Sequence, residues 1–325
     1  MTRHAFTLER TAALADHHIA AIAEAVERSR RPATRKAYAG AWNRFRDWAG
    51  SEGLEALPAE PLAVAAYLTH RAAAGLSMST LAMDRKAISH EHRMAGLPTP
   101  TATEGVRQTF AGLRNQLAEE GRGEPRQARG LTAEALAAIR RTAHRPRSGP
   151  TGRTESAECA RRRGDEDIAI ASVMRDAMLR RSEAAALRWE AVKFVGDGSA
   201  RVTVGRSKTS LAPVVLYVGP DSAAALRRIR PARNGGNERV FGLNSGRAIS
   251  NRVAAMAVAA GLGEGFSGHS PRVGMAQDLT AAGAGLAAIM VAGRWKSERM
   301  PAYYSRAEEA GRGAVARFYG GGEKG

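Results

Sequence analysis

Large apolar residues recur at helical intervals in the first third of the chain. In two segments the intervals are four, three and four residues, which puts each set on one face of an α-helix. The two sets are Tyr38, Trp42, Phe45 and Ala49, and Val106, Phe110, Leu113 and Leu117. Between them, Pro61 stands where a second helix would begin, and Ser77 or Ser79 where a third would begin. We predict a four-helix-type unit over residues 31–118, after a helical extension at 1–30.

The remaining residues predict a second, mostly helical domain. Residues 119–130 combine Gly, Pro and charged residues without apolar periodicity, which is typical of a linker. Residues 131–307 would form the second domain, and residues 308–325 carry a short apolar patch that we expect to dock on a neighbouring protomer.

One strand pair stands out in this second domain. Val202 and Val204 alternate with polar residues, and residues 205–211 supply the turn before a second strand. Residues 145–165 are rich in Arg, Gly and Pro and predict a surface loop. The predicted fold class is therefore mainly α, with a helical N-terminal unit and an α+β second domain that contains a small antiparallel sheet.

The charge of the chain favours a polyanionic partner. The sequence has 49 Lys and Arg against 32 Asp and Glu, a net charge of +17, which favours nucleic acid over other partners. An Arg-rich solvated surface would explain the choice of Arg over Lys but not the shortage of acidic residues. Cys159 is the only cysteine and no long apolar run is present, so we expect a protein of a reducing compartment, the cytoplasm, without a membrane span.

Four segments of the second domain carry groups that suit phosphodiester cleavage. Arg180 and Glu183 in "LRRSEAAALRW" are three residues apart and share a helical face. His269 and Arg272 in "GHSPRVG" have the same spacing, with Ser270 expected as the N-cap of a helix whose N-terminus favours a phosphate. Lys208 lies in the turn of the strand pair and could reach into a cleft.

The fourth segment, "AGRWKSERMPAYYSR", supplies an indole N–H at Trp295 and two neighbouring tyrosines. Arginine suits a phosphodiester because its planar fork donates two parallel hydrogen bonds and keeps its charge. The sequence has no HExxH motif and no nuclease-type carboxylate cluster in this domain, so we expect no metal and no cofactor.

Taken in order, these segments resemble the tyrosine recombinases, the phage-integrase family that includes Cre-like and Xer-like enzymes. The resemblance covers about residues 30 to 310 and depends on the whole ordered set, since no single element is specific. The set is Arg180, Lys208, His269, Arg272, Trp295 and Tyr304.

The resemblance implies a role for each member of the set. Arg180 and Arg272 would clamp the scissile phosphate, and His269 would bind a phosphate oxygen and assist proton transfer. Lys208 would protonate the leaving 5′-oxygen, and Trp295 would donate its N–H where many members have a histidine. The nucleophile would form a 3′-phosphotyrosyl bond, which conserves the phosphodiester energy. Glu183 resembles a supporting carboxylate of the family.

The spacing of the last motif selects one tyrosine. The family places its nucleophile nine positions after the His or Trp residue, and Tyr304 lies nine positions after Trp295. Neighbouring helical residues point about 100° apart, so Tyr303 cannot face the same phosphate and is expected to pack against the domain. Two members keep an ordinary alternative, since Lys208 suits simple DNA contact and Trp295 suits a core.

The same resemblance implies double-stranded DNA with a specific recombination site as the partner, and a homotetramer on two such sites. We predict that basic residues of the first unit contact the DNA. These are Arg35, Lys36, Arg44, Arg85 and Lys86. Two alternatives remain open, a type IB topoisomerase-like nicking-closing enzyme and a DNA-binding accessory protein whose catalytic set has decayed.

The sequence also departs from the family. Many members have a glycine just before the Leu-Arg of the first motif, whereas Ala177 and Met178 stand here. Pro271 lies inside the His-x-x-Arg motif, where it could move the start of the helix and so the aim of His269.

Overall fold

The computed structural model describes residues 16–28, 32–123, 127–149, 151–205, 212–232 and 236–310. The chain divides into two compact units, residues 1–126 and 127–325. The predicted fold class is confirmed, because helices dominate both units and the described sheet has three antiparallel strands. None of the described helices is both long and apolar enough to cross a membrane.

Unit 1 is built from helices that pack in pairs. Its elements are α1 (Asp16–Arg28), α2 (Pro32–Ser51), α3 (Pro61–Ala73), α4 (Met78–Met94), a 3₁₀ turn (Pro100–Ala102) and α5 (Glu104–Glu119). Helix α2 packs on α4, and α3 packs on α5. Both predicted stripes face the core, since all their residues except the half-buried Tyr38 are buried. Apolar burial of these stripes stabilises the unit by roughly 2 kcal/mol per large side chain.

A buried carboxylate fixes two arginines of this unit. Asp84 on α4 is fully buried, and its two oxygens accept from Arg44 at 3.1 Å and from Arg71 at 3.2 Å. Removing the carboxylate would leave the two guanidinium groups without their counter-charge, so Asp84 is a structural requirement of the bundle.

His92 joins α4 to the segment that precedes α3. Its Nδ1 is 2.8 Å from the carbonyl of Ile88, and its Nε2 accepts from the backbone N–H of Ala59 at 2.9 Å. Both bonds together require a neutral ring with the proton on Nδ1. Burial lowers the pKa of His92, so the neutral form is favoured.

We therefore expect the stabilising contribution of His92 to be lost in acid. The contribution is complete above the unfolded-state pKa of about 6.5 and declines as the pH falls towards the lower folded pKa. Hydrogen exchange of peptides containing Ala59 should show a protection factor that drops between pH 8 and pH 5.5. In His92→Leu the protection should be lower at pH 8 and nearly independent of pH; an equal drop in both proteins would contradict this role.

Unit 2 places helices around a small sheet. The helices are α6 (Ala133–Thr142), α7 (Ala157–Asp176), α8 (Arg181–Ala186), α9 (Pro220–Ile229), α10 (Gly246–Ala259), α11 (Ser270–Ala281), α12 (Leu286–Gly293) and α13 (Arg299–Ala310). A 3₁₀ turn (Trp189–Ala191) leads into β1 (Val192–Phe194), β2 (Ala200–Val204) and β3 (Val214–Val218). The strands lie in the order β1-β2-β3, with Val202 opposite Val192 on one side and Leu216 on the other.

Helix α7 is the central element of this unit. Every residue from Asp167 to Arg175 is buried, so the helix is enclosed on all sides rather than on one stripe. It contacts α6, α9, α10 and α11. The end of α7 therefore has a fixed position, and the first motif of the predicted catalytic set follows directly after it.

Two predictions about local structure were incomplete or wrong. The strand pair is present as β2 and β3, but the sequence analysis missed β1, whose three residues are too few to show an alternation. The predicted loop 145–165 is wrong beyond residue 156, because α7 begins at Ala157, with the Ser156 hydroxyl accepting from the N–H of Cys159.

The shorter segment before α7 is held by ion pairs. Arg163 donates to Glu155 at 2.9 Å and to the fully buried Asp167 at 3.1 Å. Arg147 lies 2.9 Å from the same Asp167 carboxylate, and Arg252 on α10 also bonds to it. Charges in the segment were visible in the sequence, but their partners on α7 and α10 were not.

The predicted domain limits remain a proposal, although the division between residues 126 and 127 falls inside the predicted linker. The predicted 1–30 extension is described only from Asp16 to Arg28, where it is helical. The predicted C-terminal segment lies outside the described residues beyond Ala310.

Candidate active site

The first motif forms a tight turn between α7 and α8. Helix α7 ends at Asp176, and Met178 adopts a positive φ of 43°, a left-handed conformation that favours glycine. The glycine that many family members have near this position thus has a physical reason, and the buried Met178 takes the strained conformation here. The turn ends at Arg180, the N-cap residue of α8.

Glu183 orients Arg180, as their spacing predicted. Its carboxylate accepts from the backbone N–H of Arg180 at 2.8 Å and from the Arg180 guanidinium at 2.8 Å. Burial opposes ionisation of this carboxyl, but the Arg180 N–H and the Arg294 guanidinium hold the pKa of Glu183 below its usual range. Glu183 is therefore an anion that fixes the arginine at the start of α8.

Arg272 is enclosed at the beginning of α11. Its side chain donates to the carbonyl of Met178 at 2.7 Å and to the carbonyl of Gly293, and its guanidinium lies 4.1 Å from the centroid of the Trp295 ring. Burial lowers the pKa of Arg272 to about 9, and the charges of Arg180 and Arg294 act in the same direction. A buried cation among cations favours a bound anion.

His269 stands at the start of the same helix. It is the N-cap residue of α11, so the prediction that Ser270 fills that position was off by one residue. The Ser270 hydroxyl accepts from the N–H of Ser267 instead. Partial loss of hydration lowers the pKa of His269, although the residue keeps exposed surface, and the positive charges of Arg181, Arg272 and Arg180 lower it further. The ring is therefore neutral at physiological pH and able to exchange a proton.

The two tyrosines on α13 have different surroundings. Tyr304 packs against the apolar cluster of Met178, Ala276 and Ile289, and its ring centroid lies 5.9 Å from that of Trp295. Burial raises the pKa of Tyr304, and the charge of Arg272 opposes that rise. The phenol is therefore protonated at neutral pH and needs a group that removes its proton when it attacks.

Tyr303 has a different cationic partner, although its ring centroid lies 6.1 Å from that of Tyr304. The Arg306 guanidinium lies 4.5 Å from the centroid of its ring, and it is not among the residues that pack on the cluster beneath Tyr304. The tyrosine expected to pack against the domain is thus stacked by an arginine of its own helix, and Tyr304 is the one that lies near Arg272.

Most of the predicted catalytic set meets in one place. Direct contacts or electrostatic interactions join six residues from three separate segments: Arg180, Glu183, His269, Arg272, Trp295 and Tyr304. Lys208 lies outside the described residues. Within the described part of the chain, no group of three or more His, Cys, Asp or Glu is placed to hold a metal ion.

The predicted DNA contacts lie in unit 1 and remain a prediction. Arg35, Lys36 and Lys86 are exposed on α2 and α4. The Arg44 side chain is partly occupied by the ion pair with Asp84, and the Arg85 guanidinium lies 4.0 Å from the centroid of the Phe110 ring.

One site residue was missed by the sequence analysis. Arg294 precedes Trp295 and had no predicted role, yet it donates to the carbonyl of Met178 at 3.0 Å and to Glu183 at 2.9 Å. Nothing in its immediate sequence indicates these partners, which lie more than a hundred positions away.

Comparison with known proteins matches most of unit 2 to one protein family. Residues 157–310, which include all the described members of the catalytic set, match the phage integrase family. The chain carries a phage integrase family domain. This match confirms the resemblance that the order of the motifs indicated.

A curated relative extends the similarity beyond that domain. Recombinase cre of Escherichia phage P1 is 24% identical over 306 aligned residues, which cover 83% of each chain. The family match and this relative support a tyrosine-type site-specific recombinase, and they favour neither the nicking-closing enzyme nor the decayed accessory protein.

Solved structures share the fold. A lambda integrase (75–356) dimer bound to a COC′ core site has a TM-score of 0.53 at 17% identity, with 89% of this chain and 94% of that chain covered. The XerH site-specific recombinase bound to its palindromic difH substrate has a TM-score of 0.54 at 15% identity, with 80% of this chain and 72% of that chain covered.

Proposed function

We propose that this protein recombines DNA at a specific site by cutting and rejoining strands through a covalent bond between Tyr304 and a 3′-phosphate. The observation that carries the proposal is the packing of a buried cation, Arg272, and a partly buried phenol, Tyr304, against the same indole ring. Arg272 and Tyr304 both lie against Trp295, and the charge of Arg272 favours the ionised form of the phenol. An anion seated on Arg272 would therefore be within the surroundings of the tyrosine oxygen.

The clamp on the scissile phosphate would be formed by two arginines from different helices. Arg180 is aimed by Glu183 at the start of α8, and Arg272 is fixed by two backbone carbonyls at the start of α11. The charge of each lowers the pKa of His269, which places all three groups within electrostatic reach. Such pre-positioned donors stabilise the extra charge of a pentacoordinate phosphorus without reorganising during the reaction.

The proposed reaction conserves one phosphodiester-type bond in each step. The Tyr304 oxygen attacks phosphorus, the bond to the 5′-oxygen breaks, and His269 assists transfer of the phenol proton. Lys208 donates a proton to the leaving 5′-oxygen. In the second step a 5′-hydroxyl attacks the phosphotyrosine and gives its proton to Lys208, the bond from phosphorus to Tyr304 breaks, and the phenol regains its proton with the help of His269; no metal or energy-rich cofactor enters either step.

The finer assignments belong to the same proposal. The DNA-bound relatives support duplex DNA as the partner, with basic residues of unit 1 at its surface. We further propose a homotetramer on two recombination sites and action in the cytoplasm. Density-gradient or mass-photometry measurement of the complex with its recovered DNA tests the stoichiometry directly.

Covalent capture from a random library tests the function and recovers the target sequence in the same experiment. The protein is incubated in EDTA with nicked duplexes of randomised sequence, and DNA that stays bound after denaturation is sequenced. We expect a covalent adduct with an enriched sequence. Binding without an adduct would indicate an accessory protein, and an adduct without sequence enrichment, accompanied by relaxation of any supercoiled plasmid, would indicate a nicking-closing enzyme.

A further inference from the structure

Arg294 occupies an unusual backbone position between α12 and Trp295. It is the C-cap residue of α12 and has a φ of 56° and a ψ of 43°, the left-handed region that costs a non-glycine residue roughly 1 kcal/mol. Its predecessor Gly293 packs directly under the Trp295 ring, since a Cβ there would lie 1.9 Å from that ring. The strained arginine therefore has a closely fixed position.

The side chain of Arg294 turns inward rather than to solvent. It is 10% exposed and donates from one terminal nitrogen to the carbonyl of Met178 at 3.0 Å and to Glu183 at 2.9 Å. Its Nε is buried without a hydrogen-bond partner in the described part of the chain. Helix capping alone would not require a buried charge, since the capping bonds come from the backbone N–H groups.

Both partners of Arg294 are also partners of the phosphate clamp. Glu183 shares its carboxylate between Arg294 and Arg180. The carbonyl of Met178 accepts from both Arg294 and Arg272. Arg294 therefore shares one hydrogen-bond acceptor with each clamp arginine. It shares the Glu183 carboxylate with Arg180 and the Met178 carbonyl with Arg272.

We propose that Arg294 is a positioning residue that holds Arg180 and Arg272 at the spacing required by the scissile phosphate. It does so by fixing the Glu183 carboxylate and the Met178 carbonyl, to which the two clamp arginines are bonded. The inference rests on the proposed recombinase function and adds a residue to it. A displacement of such groups by about 1 Å can lower a rate by about 10²-fold. Loss of Arg294 should therefore lower the rate of DNA cleavage rather than the affinity for DNA.

Replacement of Arg294 by glycine tests the proposal, since glycine accepts the left-handed backbone and removes only the side chain. With the nicked duplex recovered by covalent capture, we expect Arg294→Gly to lower the single-turnover cleavage rate about 10²-fold while the Kd for DNA changes less than about threefold. Added guanidinium ion should restore a measurable part of the rate. Arg294→Lys, which keeps the charge but loses the planar fork, should fall between the two.

The controls separate positioning from folding and from net charge. Arg161→Gln removes one charge from the exposed surface of α7 and should cleave at the wild-type rate. An Arg294→Gly protein with an unchanged cleavage rate would overturn the proposal, as would a loss explained entirely by a lowered melting temperature with no response to guanidinium. Failure of the wild-type protein to form any adduct would instead refute the proposed function itself.

Discussion

Replacing Tyr304 by phenylalanine should abolish the covalent protein–DNA adduct. The substitution removes only the phenol oxygen, and the aromatic ring can keep its packing against Trp295 and the Met178, Ala276 and Ile289 cluster. Loss of a covalent nucleophile lowers the rate by at least ~10⁴-fold. Denaturing gel electrophoresis of the protein with its recovered nicked duplex measures the adduct directly.

Tyr303→Phe is the matched control for this prediction. The neighbouring phenol belongs to the same helix but lies under Arg306 and not on the cluster beside Arg272. Adduct formation by Tyr303→Phe should equal that of the wild type, and its melting temperature should match that of Tyr304→Phe. An adduct that survives in Tyr304→Phe and disappears in Tyr303→Phe would reverse the assignment.

Replacing Arg272 by lysine should have the second largest effect. The guanidinium spans the carbonyls of Met178 and Gly293 while it lies over the Trp295 ring, and an ammonium group cannot make these contacts together. The charge would remain, but the donors would no longer meet the phosphate at fixed positions. We expect a fall of about 10²–10³-fold in single-turnover cleavage, comparable to the loss of one oxyanion donor.

Arg175→Lys serves as the comparison for Arg272→Lys. Arg175 is also buried in unit 2, where its side chain donates to the carbonyl of Leu131 at 3.0 Å and pairs with Asp278, neither of which belongs to the predicted catalytic set. We expect this variant to lower the melting temperature while leaving the cleavage rate per folded molecule unchanged. If both lysine variants lost cleavage in proportion to stability, Arg272 would have only a structural role.

The helices of unit 1 and the proposed catalytic set could be predicted from the sequence for different reasons. The helical stripes recur at a fixed period, and the buried residues of α2 and α5 follow it closely. The catalytic set shows no period and is visible only as an order of residue types that matches a family. The two kinds of inference are therefore independent: the stripes predict helices, and the order of residue types indicates the family.

The features that could not be predicted depend on contacts between residues that lie far apart in the sequence. The hydrogen bonds of Arg294 require residues 178, 183 and 294 to lie in contact, and no local sequence pattern predicts that contact. The same holds for the carboxylate of Asp167, which collects arginines from positions 147, 163 and 252. The left-handed conformation at Met178 was hinted at only by a departure from the family pattern, and a physical reason emerged only with the fold.

Mass spectrometry of the trapped complex tests the central claim most directly. After nuclease and protease digestion, one peptide should carry the residual nucleotide, and fragmentation locates the modified residue. We predict a phosphodiester link to the oxygen of Tyr304, with none on Tyr303. A nucleotide found on Tyr303, on a serine, or on no residue of the peptide that contains α13 would contradict this claim.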